Sequence, residues 1–373
     1  MHAETGNIKG LYVHVPFCDG KCLYCAFYSR RYESKLAKRY LRFLETELKQ
    51  YPRLDVETIY FGGGTPSLLT CSELKVLCDI IKKNISISRL KEWTIECNPR
   101  SITTPKLALL AKAGVNRISL GAQSFDNAAL KWLGRRHNVE DIYDAVHKIK
   151  SAGFDNFSLD LIGCIPGFKM KLWRKTLKSA IALKPRHIST YALTREEDTK
   201  LAKSVSKGKI SPLTEEEEIE TLDTARDELV KSGYRRYEIS NFAKPGFECL
   251  HNLACWRGQE YIGLGASAAS HAGLKRWANT ADLKKYIKAL EQGKKPPRSM
   301  DALNKKLKQV EMIVFGLRMA EGISQATGKT CEQKLREFRK EKLVSNNKGR
   351  WRLTRRGFYL ADYIGGELLD GAS

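Results

Sequence analysis

The sequence contains no long hydrophobic run. Across its 373 residues, no apolar stretch approaches the roughly 18–20 residues that a membrane-spanning helix requires. The opening residues, MHAETGNIKG, contain no hydrophobic signal-peptide core. Hydrophobic residues make up 42% and charged residues 29% of the chain, as in soluble globular proteins. These features argue against a membrane-spanning protein, and we expect a cytoplasmic location with at most a peripheral association with membranes.

Acidic residues are scarce relative to basic ones. The chain has 42 Asp and Glu against 65 Lys and Arg, so its net charge at pH 7 is +23. No single Lys/Arg block accounts for the excess. A basic surface attracts nucleic acids, anionic membranes or anionic ligands, and a merely solvated basic surface is the alternative interpretation. The charge alone therefore does not identify a partner.

Cysteines are numerous, but a disulfide framework is not expected. A reducing cytosol keeps thiols free, and clustered cysteines in such proteins more often bind metal. Cys18, Cys22 and Cys25 form such a cluster. The scattered cysteines are predicted to be buried small side chains; they are Cys71, Cys78, Cys97, Cys164, Cys249 and Cys331.

Six apolar segments rich in Val, Ile and Tyr alternate with helical patterns in the first half of the chain. They are LYVHVPF, VETIYFGG, EWTIECN, RISLGAQ, FSLDLIGCIP and HISTYAL. Near-continuous apolar runs are typical of buried parallel strands, and repeated βα units imply a parallel sheet that curls into a barrel. We therefore predict an α/β fold with a partial or full (β/α) barrel, whose ligands lie at the carboxyl ends of its strands.

The pattern changes in the second half of the chain. A helix beginning with TEEEE and a strand-like YRRYEISNFA precede a Gly-rich, loop-like segment, HNLACWRGQEYIGLGASAASH. Beyond it, two helices, a hairpin (LVSNNKGRWRLT) and a last helix predict a small α+β, winged-helix-like domain. We expect a barrel core at residues 1–235, a barrel-closing segment at 236–300 and a C-terminal domain at 301–373.

The clustered cysteines have the spacing C-x3-C-x2-C, with no fourth cysteine beside them. Structural zinc sites usually take four ligands in two separated pairs. A [4Fe–4S] cluster held by three cysteine thiolates leaves one iron open for another ligand. Because the loop directly follows the first strand, we predict such a cluster at the mouth of the barrel. A zinc site and three unrelated structural thiols are the alternatives.

Glycine-rich and polar motifs follow the next strands. The turn FGGGTPSLL, with Gly62, Gly63 and Gly64, allows the backbone to approach a ligand closely, although a tight turn alone also explains it. Further polar side chains lie at or near strand ends and are able to bind ammonium, hydroxyl or carboxylate groups; surface residues or helix caps are the alternative. These side chains are Glu96, Gln123, Arg135 and Asp160.

The cysteine spacing, with an aromatic residue at Tyr24, resembles the signature of the radical S-adenosylmethionine superfamily. The resemblance implies that the open iron binds the amino and carboxylate groups of S-adenosylmethionine. An electron from the reduced cluster, supplied by a reductant such as flavodoxin or ferredoxin, then cleaves the sulfonium to a 5′-deoxyadenosyl radical. In such proteins the cofactor supplies the chemistry, and the chain supplies placement and water exclusion.

Several motifs extend the resemblance along essentially the whole chain. YVHVPFC, YFGGGTPS, ECNP, RISLGAQSF, LGRRHN, DLIGCIPG, YEISNFA and IGLGASA together are similar to those of the oxygen-independent coproporphyrinogen III oxidase family. The resemblance implies that Cys18, Cys22 and Cys25 bind the cluster. It also implies S-adenosylmethionine contacts at Tyr12, Gly63, Gly64, Thr65, Glu96, Gln123, Arg135, Asp160 and Ala192.

The family divides into true oxidases and haem chaperones, and three features resemble the haem chaperones. Phe27 stands where the oxidases have a further cysteine, and only seventeen residues precede Cys18, whereas the oxidases have a longer N-terminal segment. HNLACW resembles the chaperones' H-N-x-x-Y-W motif, with Cys255 in place of tyrosine. The resemblance implies that His251 binds haem. Because cysteine thiolate also ligates haem iron, Cys255 is either a second ligand or a buried substitute for the ring.

The resulting prediction is a haem chaperone with a [4Fe–4S] cluster and S-adenosylmethionine, which delivers haem to a haem-accepting protein such as a respiratory enzyme at the membrane. Two questions stay open: whether the protein catalyses a reaction, and whether it is a monomer or a homodimer. One alternative is a coproporphyrinogen III oxidase that decarboxylates propionates to vinyl groups by radical chemistry. The other is nucleic-acid binding by the C-terminal domain, but RWRLTRRG has no clear recognition-helix pattern, so no specific nucleic-acid partner is expected.

Overall fold

The computed structural model describes residues 8–371, and a large sheet lies at its centre. The strands are β1 (Gly10–Val15), β2 (Phe17–Cys18), β3 (Arg30–Arg31), β4 (Thr58–Gly63), β5 (Glu92–Cys97), β6 (Arg117–Gln123), β7 (Phe157–Gly163), β8 (His187–Ala192), β9 (Arg235–Arg236), β10 (Asn241–Ala243), β11 (Tyr261–Leu264), β12 (Ala269–Ala272), β13 (Lys275–Asn279), β14 (Arg298–Ala302), β15 (Ile323–Ser324), β16 (Val344–Asn347) and β17 (Arg350–Leu353). The helices are α1 (Ser34–Leu48), α2 (Cys71–Asn84), α3 (Thr104–Ala113), α4 (Asn127–Trp132), α5 (Val139–Ser151), α6 (Met170–Ala182), α7 (Lys200–Ser206), α8 (Glu215–Lys231), α9 (Leu250–Trp256), α10 (Leu283–Glu291), α11 (Lys305–Arg318), α12 (Gln325–Gly328), α13 (Glu332–Lys340), α14 (Arg355–Tyr359) and α15 (Ala361–Asp370).

The central sheet has 12 strands in the order β14-β13-β12-β11-β1-β4-β5-β6-β7-β8-β10-β9. The strands from β11 to β8 in this order run parallel, and the strands beyond them at each end pair antiparallel. Among the described strands, no pairing joins the two ends of the sheet. The predicted α/β fold is confirmed in its partial-barrel form, and each of the six predicted apolar segments forms one of the parallel strands.

Helices pack on the parallel strands, and the two together bury most of the apolar core. Leu11 and Val13 of β1 are fully buried. Tyr40 and Leu44 of α1, which are one helical turn apart and therefore share a face, are also fully buried. Within residues 8–371, no helix combines the length and the apolar composition needed to cross a membrane. The packed core fixes the ends of the strands, and with them the loops that follow.

The segment between residues 249 and 272 is more ordered than the sequence predicts. The predicted loop contains α9 and then β11, which pairs with β1 on one side and β12 on the other. A Cβ atom on Gly263 would overlap the carbonyl oxygen of Ala269, so glycine here permits a close approach between backbones rather than marking a loop. The predicted strand YRRYEISNFA is likewise divided into the short strands β9 and β10, and the last helix into α14 and α15.

The C-terminal residues form a small core of their own. Strands β15, β17 and β16 make a three-stranded antiparallel sheet, and Trp351 of this sheet packs in one cluster with Leu335 of α13 and Ile313 of α11. Arg355 of α14 forms an ion pair with Asp223 of α8, which ties this unit to the barrel. The predicted small α+β C-terminal domain is confirmed.

The scattered cysteines are not all buried. Cys78, Cys97, Cys164 and Cys249 are buried as predicted. The prediction is wrong for Cys71, the first residue of α2, and for Cys331, the residue before α13, which are only partly buried. Both lie at the start of a helix on the surface of the fold, where solvent reaches the side chain.

Candidate functional site

A cavity of about 940 Å³ runs along the inner face of the parallel strands. Its lining extends from Gly63 and Ala192, at the carboxyl ends of β4 and β8, to Arg117 and His187, at the amino ends of β6 and β8. Every site residue predicted from the sequence lines this cavity: Tyr12, Cys18, Cys22, Cys25, Gly63, Gly64, Thr65, Glu96, Gln123, Arg135, Asp160, Ala192 and His251. The structure therefore brings these residues together, while their individual roles stay predictions.

The three clustered cysteines occupy one loop at the carboxyl end of the sheet. Cys18 ends β2, and its Sγ lies 3.7 Å from the hydroxyl oxygen of Thr65. The sulfur of Cys22 accepts a hydrogen bond from Nη1 of Arg135 at 3.6 Å. Both contacts come from residues outside the loop, so the positions of these two sulfurs are fixed by the barrel.

The donor set at this loop fits an iron–sulfur cluster. Burial raises the pKa of the Cys18 and Cys25 thiols, and the nearby Cys22 raises both further. In the described part of the chain, no three or more His, Cys, Asp or Glu side chains converge on a position for one metal ion. Cluster ligands need not converge in this way, because each cysteine binds a different iron. The loop thus offers three free, partly buried thiols from separate points of one turn.

The glycine turn after β4 is packed against the chain itself. Gly63 has φ of 102°, and a Cβ atom there would overlap the His14 ring. A Cβ atom on Gly64 would lie 2.7 Å from the carbonyl oxygens of Val15 and Phe17. The amide of Gly64 donates to Val15 O at 2.9 Å, and that of Thr65 to Phe17 O at 2.7 Å. The tight turn considered for this motif is therefore present, and these amides are already used within the fold.

Two carboxylates inside the cavity are held by hydrogen bonds from neighbouring strands. The Tyr60 hydroxyl donates to Oε1 of Glu96 at 2.8 Å, and the Gly63 amide donates to Oε2 at 3.1 Å. Burial, with a smaller contribution from Asp160, raises the pKa of Glu96 to about 7. Asp160 itself accepts hydrogen bonds from three serine hydroxyls, at 2.8, 3.1 and 2.8 Å, which are those of Ser119, Ser158 and Ser189.

Gln123 and Arg135 line the cavity together with the cysteine loop, Gln123 through an irregular backbone and Arg135 through hydrogen bonds. Gln123 ends β6 with φ of 64°, at an irregularity in the pairing of β6 with β7, so its side chain leaves the regular alternation of the strand. Arg135 donates from Nη2 to Gly121 O at 3.1 Å, and from Nη1 to the Cys22 sulfur. Its Nε is buried and has no hydrogen-bond partner among residues 8–371.

His251 lies at the opposite end of the cavity, on α9. The Glu92 carboxylate accepts hydrogen bonds from the backbone amides of Leu250 and His251, at 2.8 and 3.1 Å, and so caps the start of this helix. Nδ1 of His251 lies 2.9 Å from the hydroxyl oxygen of Thr58 at the amino end of β4. The histidine is therefore buried and fixed, in contrast to the loop position that the sequence suggests.

The imidazole of His251 is neutral and has one nitrogen available. Burial lowers its pKa to about 4, so the ring carries no charge at neutral pH. Nε2 forms no hydrogen bond with any described residue, and it keeps accessible surface on the cavity side. With the proton on Nδ1 and donated to Thr58, the lone pair lies on Nε2, which is the arrangement of metal-binding histidines.

Aromatic rings connect the two ends of the cavity. Tyr60 stacks on His251 with ring centroids 5.2 Å apart and an interplanar angle of 30°. Tyr12 stacks on Tyr60, with ring centroids 6.2 Å apart and an interplanar angle of 30°. Tyr12 also contacts His14, whose Nδ1 is 3.1 Å from the Tyr12 hydroxyl oxygen. Tyr12, His14, Tyr60 and His251 all line the cavity, so one side of it is aromatic.

Cys255 lines the same cavity one helical turn after His251. Residues four positions apart share a face of a helix, so the two side chains project to the same side of α9. Burial raises the pKa of Cys255 to about 12, which keeps it a neutral thiol at physiological pH in the protein alone. Its role as a second iron ligand stays a prediction.

Sequence reasoning missed a set of polar residues deep in the cavity. In the sequence they alternate with apolar residues within strands that otherwise appear fully buried. This alternation indicates that their polar side chains all point to the inside of the barrel. His187 bonds the Ser158 hydroxyl through Nδ1 at 2.8 Å and the Tyr237 hydroxyl through Nε2 at 2.9 Å. The residues that line the deep end without having been predicted are Tyr60, Arg117, Ser119, His187 and Ser189.

Comparison with known families matches both parts of the chain. The model of the radical SAM superfamily matches residues 12–180, and that of the HemN C-terminal domain matches residues 303–360. The solved structure of coproporphyrinogen III oxidase (HemN) from Escherichia coli superposes with a TM-score of 0.83 over 97% of this chain and 90% of that chain. At 23% sequence identity, this likeness shows a common fold.

Two curated relatives cover almost the full length. The protein named heme chaperone HemW from Lactococcus lactis subsp. lactis is 33% identical over 362 residues, which is 95% of this chain and 95% of the relative. The protein of the same name from Bacillus subtilis is 32% identical over 376 residues, which is 97% of this chain and 99% of the relative. The chain therefore belongs to the HemW heme-chaperone family of radical SAM proteins.

Proposed function

We propose that the protein binds haem inside the barrel and transfers it to acceptor haem proteins, while carrying a [4Fe–4S] cluster and S-adenosylmethionine. Its full-length relatives are named heme chaperones. One observation on this chain carries the proposal: Thr58 holds Nδ1 of His251, while Nε2 lies in the cavity and forms no hydrogen bond with any of residues 8–371. A neutral, oriented imidazole is the usual protein ligand of haem iron.

The aromatic side of the cavity beside His251 suits a large, largely apolar ligand. Tyr60 stacks on the histidine ring and Tyr12 stacks on Tyr60, so aromatic side chains line the cavity beside His251. Aromatic side chains favour burial of an apolar macrocycle. Glu92 holds α9 through its first amides, so the histidine keeps its orientation when the ligand leaves. In this proposal, release depends on exchange at Nε2 and not on melting of the helix.

Cys18, Cys22 and Cys25 would hold the cluster, as their free thiols and the fixed positions of the Cys18 and Cys22 sulfurs support. We assign the S-adenosylmethionine site to the surrounding residues predicted from the sequence, which are Tyr12, Gly63, Gly64, Thr65, Glu96, Gln123, Arg135, Asp160 and Ala192. A cluster and S-adenosylmethionine supply one-electron chemistry when bound. Because the amides of Gly64 and Thr65 are used internally, the turn would contact the cofactor through its carbonyl groups and Oγ1 of Thr65.

The remaining parts of the proposal concern setting and partners. We place the protein in the cytoplasm, where a reductant such as flavodoxin or ferredoxin supplies electrons and the acceptor is a haem protein such as a membrane respiratory enzyme. The net charge of +23 supports attraction to an anionic acceptor or membrane surface, with a rate that falls as salt rises. We also propose the division into residues 1–235, 236–300 and 301–373, with no specific nucleic-acid partner.

The test is a haemin titration of the anaerobically reconstituted full chain. The absorption spectrum of wild type should show the band of haem that is ligated by histidine, and the spectrum of His251→Ala should lack that band. His147→Ala is the matched control, because His147 is exposed on α5. Addition of apomyoglobin should then move the haem to the acceptor. A band unchanged in His251→Ala, or no transfer, would contradict the proposal.

The same preparation separates a chaperone from an oxidase. Coproporphyrinogen III is added under anaerobic, reducing conditions with S-adenosylmethionine, and products are analysed for vinyl groups. We expect haem transfer without robust formation of vinyl product. Sustained production of vinyl porphyrin would instead establish the oxidase reaction.

A further inference from the structure

Arg117 is a buried cation with no hydrogen-bond or ion-pair partner among residues 8–371. It begins β6, is 2% exposed and lines the cavity. Its guanidinium forms no hydrogen bond and no ion pair with any residue in the range 8–371, and its Nε is fully enclosed. A buried charge is costly unless it is paired. An arginine kept in this state indicates a partner from outside residues 8–371.

The carboxylates near Arg117 are already committed to other donors. Glu92 accepts from the Cys249 thiol and from two amides of α9. Glu96 accepts from the Tyr60 hydroxyl and the Gly63 amide, and Asp160 accepts from serine hydroxyls. In the described chain Glu92 lies near enough to favour the charge of Arg117, but none of these carboxylates forms a hydrogen bond or an ion pair with the guanidinium, which lines the cavity.

The position of Arg117 separates it from the cysteine loop and groups it with His251. Arg117 and Gln123 are the two ends of β6, which at about 3.3 Å per residue lie roughly 20 Å apart. Thr58, which contacts His251, pairs with Glu92 at the amino ends of β4 and β5. Thr94 lies two residues further along β5 and pairs with Arg117, the first residue of β6. A ligand held at His251 therefore lies beside Arg117, whereas a cofactor at the cysteines lies at the other end.

We propose that Arg117 binds a carboxylate of the tetrapyrrole held at His251. The guanidinium fork matches a carboxylate in two parallel hydrogen bonds, and the propionates are the anionic groups of haem. This assignment rests on the haem-binding function proposed above. It makes Arg117 a residue that orients the macrocycle in the cavity, and it predicts that the protein distinguishes a free carboxylate from its ester.

The experiment compares haemin with haemin dimethyl ester, in which both propionates are uncharged. Both are titrated into reconstituted wild type, Arg117→Gln and Arg117→Lys, with Arg339→Gln, exposed on α13, as the charge-matched control. We expect wild type and Arg339→Gln to bind haemin about 10- to 100-fold more tightly than the ester. Arg117→Gln should bind both alike, and Arg117→Lys should recover part of the preference.

Salt provides a second readout. Surface lysines and arginines also attract a free propionate, but that attraction is screened at about 1 M NaCl, where the Debye length is about 3 Å. If buried Arg117 sets the preference for haemin over its dimethyl ester, this preference should persist at high salt. A preference lost at high salt would assign the effect to the surface and overturn the proposal.

The outcomes separate the two proposals. Equal affinity of wild type for haemin and ester, with the His251-dependent band intact, would overturn the role of Arg117 and leave haem binding in place. No His251-dependent binding of either compound would overturn the haem function, and this assignment with it. Thermal melting of each variant shows whether it folds; if neither Arg117 variant folds, Arg117 is a structural residue and the proposal fails.

Discussion

The hydroxyl oxygen of Thr58 lies 2.9 Å from Nδ1 of His251, although 193 residues separate the two in the chain. This contact orients the imidazole and leaves Nε2 on the cavity side. A ligand histidine depends on such a partner for its tautomer and its basicity. The relationship therefore yields a direct test.

Thr58→Val should weaken haemin binding by about 10- to 100-fold, the usual effect of removing the hydrogen-bond partner of a ligating histidine. Valine keeps the branched shape and removes the hydroxyl, so Nδ1 loses its partner and stability falls by about 1–3 kcal/mol. The measurements are haemin titration and urea unfolding. Thr58→Ser keeps the hydroxyl and should stay near wild type. Unchanged affinity in Thr58→Val would show that this contact does not support iron binding.

Replacement of any one of Cys18, Cys22 and Cys25 by alanine should remove most iron and labile sulfide from anaerobically prepared protein, because two thiolates do not hold the cluster. Cys71→Ala is the matched control, since Cys71 is also a partly buried thiol but lies outside the cavity. Metal and sulfide analysis checks the result. Iron retained in the alanine variants, or zinc bound by wild type, would refute the cluster assignment.

Glu96 should make the stability of the metal-free protein depend on pH. Its pKa in the fold is about 7, raised by burial from 4.5, so folding favours the protonated carboxyl. The stabilisation is fully present below pH 4.5 and is lost as the pH rises through 7, by up to about 3 kcal/mol. Urea unfolding of wild type and Glu96→Gln at pH 5 and pH 8 measures this difference. Equal pH dependence in the two proteins would mean that Glu96 is not the titrating group.

Gly63→Ala should lower the free energy of unfolding by about 2–5 kcal/mol. The added methyl would meet the His14 ring, and alanine adopts the φ of 102° only with strain. Gly366→Ala in α15 is the control, because no atom lies within 4 Å of its added Cβ, and helical alanine is favoured by about 0.5–1 kcal/mol over glycine. Urea unfolding of both variants checks the contrast. Similar stability of the two would argue against the packed turn.

Most of the fold follows from patterns within short stretches of sequence. The six apolar segments predict the parallel strands because burial on both faces leaves few polar positions in a strand. Strand β11 was not predicted, because the glycine-rich sequence in and around it is typical of a loop. Gly263 is there to admit the backbone of Ala269, a requirement set by a strand that the local sequence does not contain.

The site was predictable where a residue belongs to a motif and unpredictable where its state depends on distant neighbours. Cys18, Glu96 and Asp160 were identified by type and position, and the cavity contains them. Arg117 was part of a quoted motif but had no assigned role, because only the surrounding strands show that its side chain is buried and has no hydrogen-bond or ion-pair partner among residues 8–371.

The sequence by itself determined the thiol spacing, the alternation of strands and helices and the family, since these depend on the order of residues along the chain. The tertiary structure alone decided which groups are charged and which atoms are available. Glu92 and Thr58 reach His251 from strands far away in sequence, and removal from water, not residue type, sets the protonation of His251 and Glu96. Desolvation is a property of the packed chain, so no local pattern records it.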